Sequence, residues 1–323
     1  MPRRLLALAL LAALGCAAAP VVPPSPVAPP TAPPRPPPPA PMPRIALALG
    51  GGAARGFAHI GVIRVLEAEK IPIDLVVGTS VGSLIGALYA QKRDVFDLEW
   101  TAFALTKDDL IDTGYLNAVV GMGLAKGERL EKFIESKVQV KTIEALQVPF
   151  AAVAADLNWG TKVVIDRGSV SRAVHASSAV PGLFEPVNHL GKVLVDGGVV
   201  ENIPIATARE RGADLVLAVD IGEGVANQEI HNLVDVLLQS ANIMFAINSE
   251  HSKHGADVLI TPDVKGVGML DFTQKKRCMQ AGMEAARGSV PRIRAAIAAW
   301  QASWQAAHPI PPDAAPPSAP KAP

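Results

Sequence analysis

The chain has 323 residues, no formal net charge at pH 7 and a hydrophobic fraction of 49%. This length allows one large α/β domain or two small ones, and the balanced charge offers no strong attraction for nucleic acid. Its two cysteines, Cys16 and Cys278, exclude a disulfide framework and a clustered-cysteine metal site. Cys278 lies in a helical pattern, which favours a buried free thiol over a catalytic one.

Residues 1–16 are typical of an export signal. Two arginines precede the apolar run Leu5–Leu14, which is too short to cross a bilayer as a helix. The run ends in Ala13-Leu14-Gly15-Cys16, which resembles a bacterial lipobox, although that motif prefers Leu where Ala13 stands. The resemblance implies an acylated Cys16 that anchors the protein to a membrane. Because Ala17 is not Asp, it favours the outer membrane in the cell envelope of a Gram-negative bacterium. Ordinary cleavage near residues 17–19, with a soluble product, is the alternative.

A proline-rich segment follows at residues 17–43. More than half of the residues from Pro20 to Pro43 are proline, which predicts an extended polyproline II tether. A PxxP segment that binds a partner is the alternative. Residues 306–323 are rich in Pro and Ala, and we expect them to be disordered. The globular domain is therefore assigned to residues 44–305.

Strand-like and helix-like patterns alternate in this domain. The alternation predicts an α/β fold with a mainly parallel sheet and helices on both faces. The predicted strands are Ile45–Leu49, Asp74–Val77, Pro149–Ala155, Lys162–Ile165, Val193–Val195, Asp214–Asp220 and Asp257–Ile260. The predicted helices are Ala54–Glu69, Val81–Gln91, Ile205–Arg211, Asn232–Glu250 and Thr273–Gln301, the last with a break near Pro291. In the region Asp94–Gly127, we expect the apolar residues Phe96, Leu98, Trp100 and Phe103 to pack in the core rather than to contact acyl chains.

The segment Gly78-Thr79-Ser80-Val81-Gly82 fits the G-x-S-x-G nucleophile elbow. It follows a strand pattern and opens a helix, whose positive end lies beside Ser80. Gly78 and Gly82 permit the sharp turn that this motif needs. Ser80 is therefore the candidate nucleophile, which requires a base and a site for the oxyanion. A plain strand-to-helix turn is the structural alternative.

A glycine-rich loop, Gly50–Gly56, precedes the first predicted helix. The backbone N–H groups of Gly51, Gly52 and Ala53 can hold an anion there. A nucleotide fits poorly, because Phe57 stands where a P-loop has lysine and the glycine spacing is one residue too long for G-x-G-x-x-G. The loop therefore suits an oxyanion better than a pyrophosphate.

The residues alone leave the base open. His59 is expected in the core, whereas His175 and His189 remain candidates. Asp196 ends a strand pattern before Gly197-Gly198 and can point into a cleft, although an isolated Asp-Gly pair is more often a plain turn. The remaining histidines of the domain, expected at the surface, are His231, His251 and His254.

Several segments of the chain, taken in order, resemble those of the bacterial patatin-like phospholipases. These proteins are serine acyl hydrolases with a Ser–Asp dyad. The matching stretches are Gly50–Gly56 with His59–Val62, Gly78–Gly82, Ala155–Leu157 with Gly160, Ala176–Gly182, Asp196–Gly198, Asn202–Pro204 and Arg211–Ala213. Glu185 departs from the family, whose members often have proline there.

The resemblance implies a three-layer patatin-like fold and a reaction without metal ion or cofactor. It assigns Ser80 as nucleophile, Asp196 as its partner and the region Gly51–Ala53 as oxyanion hole. Arg55, with Gly50 and Gly56, would support the loop. The substrates would be phospholipids or lysophospholipids. The alternatives are a catalytically silent lipid-binding or scaffolding protein on the same fold and, third, a nucleotide-binding protein.

Overall fold

A computed structural model describes residues 39–106, 109, 125–189, 191–225, 229–269 and 271–309, without the side chain of Val234. The predicted signal with Cys16, the proline-rich segment up to residue 38 and the tail from residue 310 lie outside the described residues.

None of the helices in the described ranges is both long enough and apolar enough to cross a membrane.

Eight strands form one sheet at the centre of the domain. They are β1 (Ile45–Leu49), β2 (Leu75–Thr79), β3 (Phe150–Asp156), β4 (Thr161–Ile165), β5 (Val187–His189), β6 (Lys192–Asp196), β7 (Leu215–Val219) and β8 (Val258–Ile260). Their order is β5-β6-β3-β2-β1-β7-β8, and β4 also pairs with β3. The strands from β3 through β2, β1 and β7 to β8 pair in parallel. In contrast, β4 and β6 run antiparallel to β3, and β5 runs antiparallel to β6. The predicted mainly parallel α/β sheet is confirmed, with an antiparallel part beside β3.

Helices cover both faces of the sheet. They are α1 (Phe57–Ala68), α2 (Val81–Ala90), α3 (Val95–Ala104), α4 (Glu128–Lys137), α5 (Val170–Ser177), α6 (Gly198–Glu201), α7 (Ile205–Glu210), α8 (Leu233–Ser252) and α9 (Lys275–Ala307). Because side chains alternate along a strand, Leu47 of β1 packs into one core with α1 and α2, whereas Ala46 and Ala48 pack into a second core with α7. This three-layer arrangement is the one expected from the alternating pattern.

Glycines bring α1 and α9 into backbone contact. A Cβ atom on Gly61 would lie 2.0 Å from the carbonyl oxygen of Met279, and one on Gly282 would lie 2.0 Å from that of Ala58. The predicted break of the last helix is wrong, since α9 continues through Pro291. Pro291 and Arg287, the residue four positions earlier, are both exposed. Water can therefore satisfy the carbonyl group that loses its helical partner.

Helix α3 corrects another expectation about the core. Leu98 is fully buried, as predicted, but Phe96 is 71% and Trp100 is 84% exposed. Phe103 lies edge-on to the ring of Phe57, with ring centroids 6.2 Å apart. One side of α3 therefore faces the core, and the other presents aromatic rings to solvent. Strand β5 was not predicted, because its three residues are too few to show a strand pattern.

Candidate active site

Ser80 lies on the turn between β2 and α2, as the elbow motif predicts. Its backbone φ is 55°, a left-handed conformation that is costly for a residue with a side chain. Glycines on both sides allow the turn to close. A Cβ atom on Gly78 would lie 2.4 Å from the Gly82 carbonyl oxygen, and one on Gly82 would lie 2.1 Å from the Leu49 carbonyl oxygen. The glycines of the motif are thus required by backbone contact.

Ser177 holds the backbone of the elbow. The Ser80 N–H donates to Ser177 Oγ at 3.0 Å, and that hydroxyl donates to the Val153 carbonyl at 2.6 Å. No local sequence pattern predicts a role for Ser177, although it lies in a stretch that resembles the family. This bond ties the candidate nucleophile to the neighbouring strand β3.

Strand β3 pairs with β2 and β6 along one edge and so sets the relative position of Ser80 and Asp196. Thr79, just before Ser80, is opposite Val153, and Asp196 is opposite the next residue of β3, Ala154, on the same edge, whereas β4 pairs along the other edge. Because β6 runs antiparallel to β3, its last residue lies at the level where β2 ends. The antiparallel part of the sheet therefore brings two distant segments of the chain together.

The Asp196 carboxyl group is fully buried. Its Oδ1 accepts a hydrogen bond of 2.7 Å from the Gly198 N–H, while Oδ2 has no hydrogen-bond partner among the described residues. Burial raises the pKa of Asp196 to about 7, although the Ser80 hydroxyl and the Gly198 N–H oppose this shift. A carboxyl group with this pKa, beside a serine hydroxyl, can act as a general base near neutral pH.

The glycine-rich loop offers two of its three predicted oxyanion donors. The Gly51 N–H donates to the Asn202 carbonyl at 3.1 Å, so the prediction for this amide does not fit the structure. In the part of the chain that the structure describes, the N–H groups of Gly52 and Ala53 have no acceptor. Ala53 lines the same cleft as Ser80, with φ at 50°. These two amides are therefore the better candidates for the oxyanion hole.

The residues predicted to support this loop contact neighbouring segments of the chain: Gly50, Arg55 and Gly56. Gly50 donates its N–H to the Val219 carbonyl at 3.1 Å. The buried Arg55 donates from Nε to the Val267 carbonyl at 2.8 Å and pairs with Glu223 at 2.6 Å. Burial lowers the pKa of Arg55, and Glu223 opposes this. A Cβ atom on Gly56 would lie 2.3 Å from a methyl group of Val81, so the loop packs directly against the residue after Ser80.

Histidine does not partner the nucleophile in the described ranges. His59 is fully buried, and its Nε2 lies 2.8 Å from the Gly50 carbonyl oxygen. Burial lowers the pKa of His59 to about 4, so the ring is neutral and donates to that oxygen. His175 Nδ1 lies 2.6 Å from Glu131 Oε1. Neither ring is bonded to Ser80 or Asp196.

The other histidines in the described ranges form no hydrogen bond with Asp196 either. His189 is partly buried in β5. His231, His251 and His254 are exposed, as predicted, and so is His308.

Asn202 is a site residue whose role was not predicted from the sequence. Its Nδ2 donates to Ser249 Oγ at 2.8 Å, whereas its buried Oδ1 has no partner among the described residues. Oδ1 would lie 2.5 Å from a Cβ atom on Gly51 and 2.8 Å from one on Gly198. The same Cβ position on Gly51 is 3.3 Å from Ser80 Cβ. A second unpartnered acceptor therefore lies close to the nucleophile.

An apolar cleft extends from Ser80. Its only polar side chains among the described residues are those of Ser80 and Ser178. The other lining residues are Ala53, Phe57, Val81, Leu84, Ile85, Leu105, Leu130, Val180, Leu183, Phe184 and Phe272. This surface is complementary to a hydrocarbon chain. No group of His, Cys, Asp and Glu side chains in the described ranges is arranged to hold a metal ion.

The family model described as patatin-like phospholipase matches residues 47–209. This range is just over half of the chain and contains the glycine-rich loop, Ser80, Asp196 and Asn202.

Two relatives each match a little over half of the chain. Patatin-like phospholipase domain-containing protein 6 of Homo sapiens is 38% identical over 185 residues, covering 55% of this chain and 13% of its own length. Lysophospholipase NTE1 of Mycosarcoma maydis is 37% identical over 180 residues, covering 55% of this chain and 10% of its own length. The chain therefore spans a small part of these relatives.

The crystal structure of VipD from Legionella pneumophila has a similar fold. It superposes with a TM-score of 0.53 at 16% sequence identity, covering 80% of this chain and 68% of VipD.

Proposed function

Because the chain belongs to the patatin-like phospholipase family, we propose that it is a serine acyl hydrolase acting on phospholipids or lysophospholipids. One observation carries the proposal: Ser80 lies beside the buried Asp196 carboxyl group at one end of an apolar cleft. The name of the fungal relative, a lysophospholipase, supports the substrate class.

In the first half of the proposed reaction, ionised Asp196 accepts the proton of the Ser80 hydroxyl. Ser80 Oγ attacks the acyl carbonyl carbon, and the Gly52 and Ala53 N–H groups donate to the resulting oxyanion. When the tetrahedral intermediate collapses, the ester bond breaks and the leaving alcohol takes the proton from Asp196. Each oxyanion donor of this kind contributes about 3–4 kcal/mol to the transition state.

In the second half, a water molecule gives one proton to Asp196 and attacks the acyl-serine carbonyl carbon. The proton then returns to Ser80 Oγ as the fatty acid leaves. A water molecule at this point donates two hydrogen bonds. Asp196 Oδ2 and Asn202 Oδ1 are two buried acceptors without other partners among the described residues. They suit the two O–H groups of this water.

The apolar cleft is proposed to hold the fatty-acyl chain. Each methylene group that leaves water for such a surface contributes about 0.8 kcal/mol to binding. The sequence also suggests where the domain works. We propose that Cys16 is acylated and that residues 17–43 tether the domain to the outer membrane. Mass spectrometry of the exported protein, with Cys16→Ser as control, tests this: an unmodified Cys16 would contradict it.

A fluorophosphonate probe, which reacts with activated serine hydroxyl groups, tests the catalytic proposal. Wild-type protein should be labelled and should hydrolyse lysophospholipid, whereas Ser80→Ala should do neither and keep its thermal stability. Ser178→Ala is the matched control, because Ser178 lines the same cleft, and it should still be labelled. An unlabelled wild type would favour the silent lipid-binding alternative, and a labelled Ser80→Ala would assign the nucleophile elsewhere.

A further inference from the structure

Helix α8 carries a row of exposed apolar side chains along its outer side, here called the α8 stripe. Its members are between 39% and 72% exposed: Leu233, Val236, Leu237, Ile243, Met244 and Ile247. They recur at the three- and four-residue spacing of one helix face. From the first to the last, the only other exposed position among the described side chains is Ser240.

The α8 stripe has no charge along about 21 Å of helix, at 1.5 Å per residue. The acidic residues of α8 lie near its two ends. Asp235 accepts from the backbone N–H groups of His231 and Asn232, and Glu250 pairs with Lys253. A helix that faces only water normally has charged residues there, and contiguous apolar patches of this kind mark contact surfaces.

The opposite side of α8 supports the candidate active site. Asn248 donates to the Gly198 carbonyl at 3.0 Å, and Ser249 accepts from Asn202 at 2.8 Å. A Cβ atom on Gly198 would lie 2.7 Å from the ring of Phe245. One helix therefore contacts the loop after Asp196 on its inner side and presents the α8 stripe on its outer side.

The α8 stripe also meets the wall of the apolar cleft. Leu237 lies against Gly182, where an added Cβ atom would be 2.8 Å from the Leu237 Cβ. Gly182 lies between Val180 and Leu183, which line the cleft. Apolar surface is thus continuous from the exposed helix to the wall that leads to Ser80.

We propose that the α8 stripe is the surface on which the domain lies against a lipid bilayer. Amphipathic helices of this kind bury their apolar side at the level of the headgroups. Because the stripe carries no basic residue, binding should depend on apolar insertion and not on anionic lipid or low salt. The substrate side of the inference rests on the proposed lipid hydrolysis, since an acyl chain would pass from the bilayer to the cleft along apolar surface.

A fluorophore on the α8 stripe tests local insertion. The full chain with Cys16→Ser and Ser80→Ala, which cannot turn over lipid, receives Ile243→Cys and an environment-sensitive label. Cys278 is 1% exposed, and the parent without the new cysteine measures any labelling there. Phosphatidylcholine vesicles should shift the emission to the blue, equally at low and high salt.

The matched control is Phe96→Cys, at a position that is 71% exposed. Phe96 follows the far end of the ten-residue helix α2, whose first turn adjoins Ser80. The emission of a label at position 96 should therefore not shift when vesicles are added. No shift at Ile243 would overturn the proposal. So would a label that is already blue-shifted without vesicles, since the chain or a second copy would then cover the stripe. Dependence on protein concentration would identify the second copy.

Ile243→Asn and Ile247→Asn test the consequence for turnover in the active protein. Each should weaken vesicle binding about tenfold, the factor for losing roughly 1.4 kcal/mol of apolar burial. Hydrolysis of phospholipid in vesicles should fall by a similar factor, while hydrolysis of a soluble short-chain ester stays unchanged. Equal loss on both substrates would assign the stripe to the stability of the site and overturn its docking role. Loss of all turnover in the wild type, with the label shift intact, would overturn the proposed function alone.

Discussion

Asp196→Asn should make the protein more stable at alkaline pH while abolishing hydrolysis. In the folded protein, burial raises the pKa of Asp196 from 3.8 to about 7. Between these values the folded state holds a proton that the unfolded chain releases. Stability is therefore lost as pH rises from about 4 to about 7 and stays lost above that. Asn is neutral at every pH and has nearly the shape of the protonated acid.

The pKa difference sets the size of this effect. Each unit corresponds to about 1.36 kcal/mol, so complete ionisation of Asp196 costs about 4 kcal/mol of unfolding free energy. Part of that loss already occurs by pH 5. Between pH 5 and pH 8, the stability advantage of Asp196→Asn over wild type should grow by about 3 kcal/mol.

Urea unfolding at several pH values, followed by circular dichroism, measures this advantage. The difference between the two proteins cancels the titration of all other groups that the substitution leaves unchanged. Hydrolysis by the wild type should rise with pH through about 7, because the ionised form of Asp196 is the base. A stability difference that does not change with pH would refute the reasoning, since Asp196 would then have an ordinary pKa.

Three further substitutions test the geometry around Ser80. Ser80→Gly should stabilise the protein by about 1 kcal/mol, because its φ of 55° favours glycine, whereas Ser80→Ala should not; thermal unfolding compares them. Gly51→Ala should lower kcat more than a hundredfold, because its Cβ would lie 2.5 Å from Asn202 Oδ1 and displace the oxyanion loop. A rise in KM with unchanged kcat would contradict this. Asn202→Ala should slow deacylation more than acylation, so that rapid quenching shows a burst of released alcohol and an accumulated acyl-enzyme. A steady state without a burst would remove Asn202 from the second step.

The sequence was sufficient for the elements whose chemistry is local. The bounds of β1 agree with the prediction, since five consecutive apolar residues are all buried. The elbow could be predicted because its glycines are needed for contacts within a few residues or with the adjoining loop. By contrast, the hydrogen bond of Ser177 to Ser80 and the unpartnered Oδ1 of Asn202 depend on how distant strands align. No local pattern contains that information.

Strand order also explains why Asp196 could be placed only by resemblance. An Asp-Gly pair at the end of a strand is ordinarily a turn, and its sequence does not show whether the strand runs parallel or antiparallel. If β6 ran parallel to β3 along this edge, its first residue rather than its last would lie next to the end of β2. The observed antiparallel pairing puts the carboxyl group level with the elbow.

Helix α8 shows the remaining limit of sequence periodicity. Apolar residues at helical spacing predicted a helix over Asn232–Glu250, and the structure has one over Leu233–Ser252. Spacing shows which side of a helix is apolar, but not what covers that side. Here the inner side is occupied by Phe245 and by polar contacts to the site, so the apolar row points outward. Exposing six large apolar side chains lowers solubility, and contact with a lipid bilayer would bury them where the proposed substrate is found.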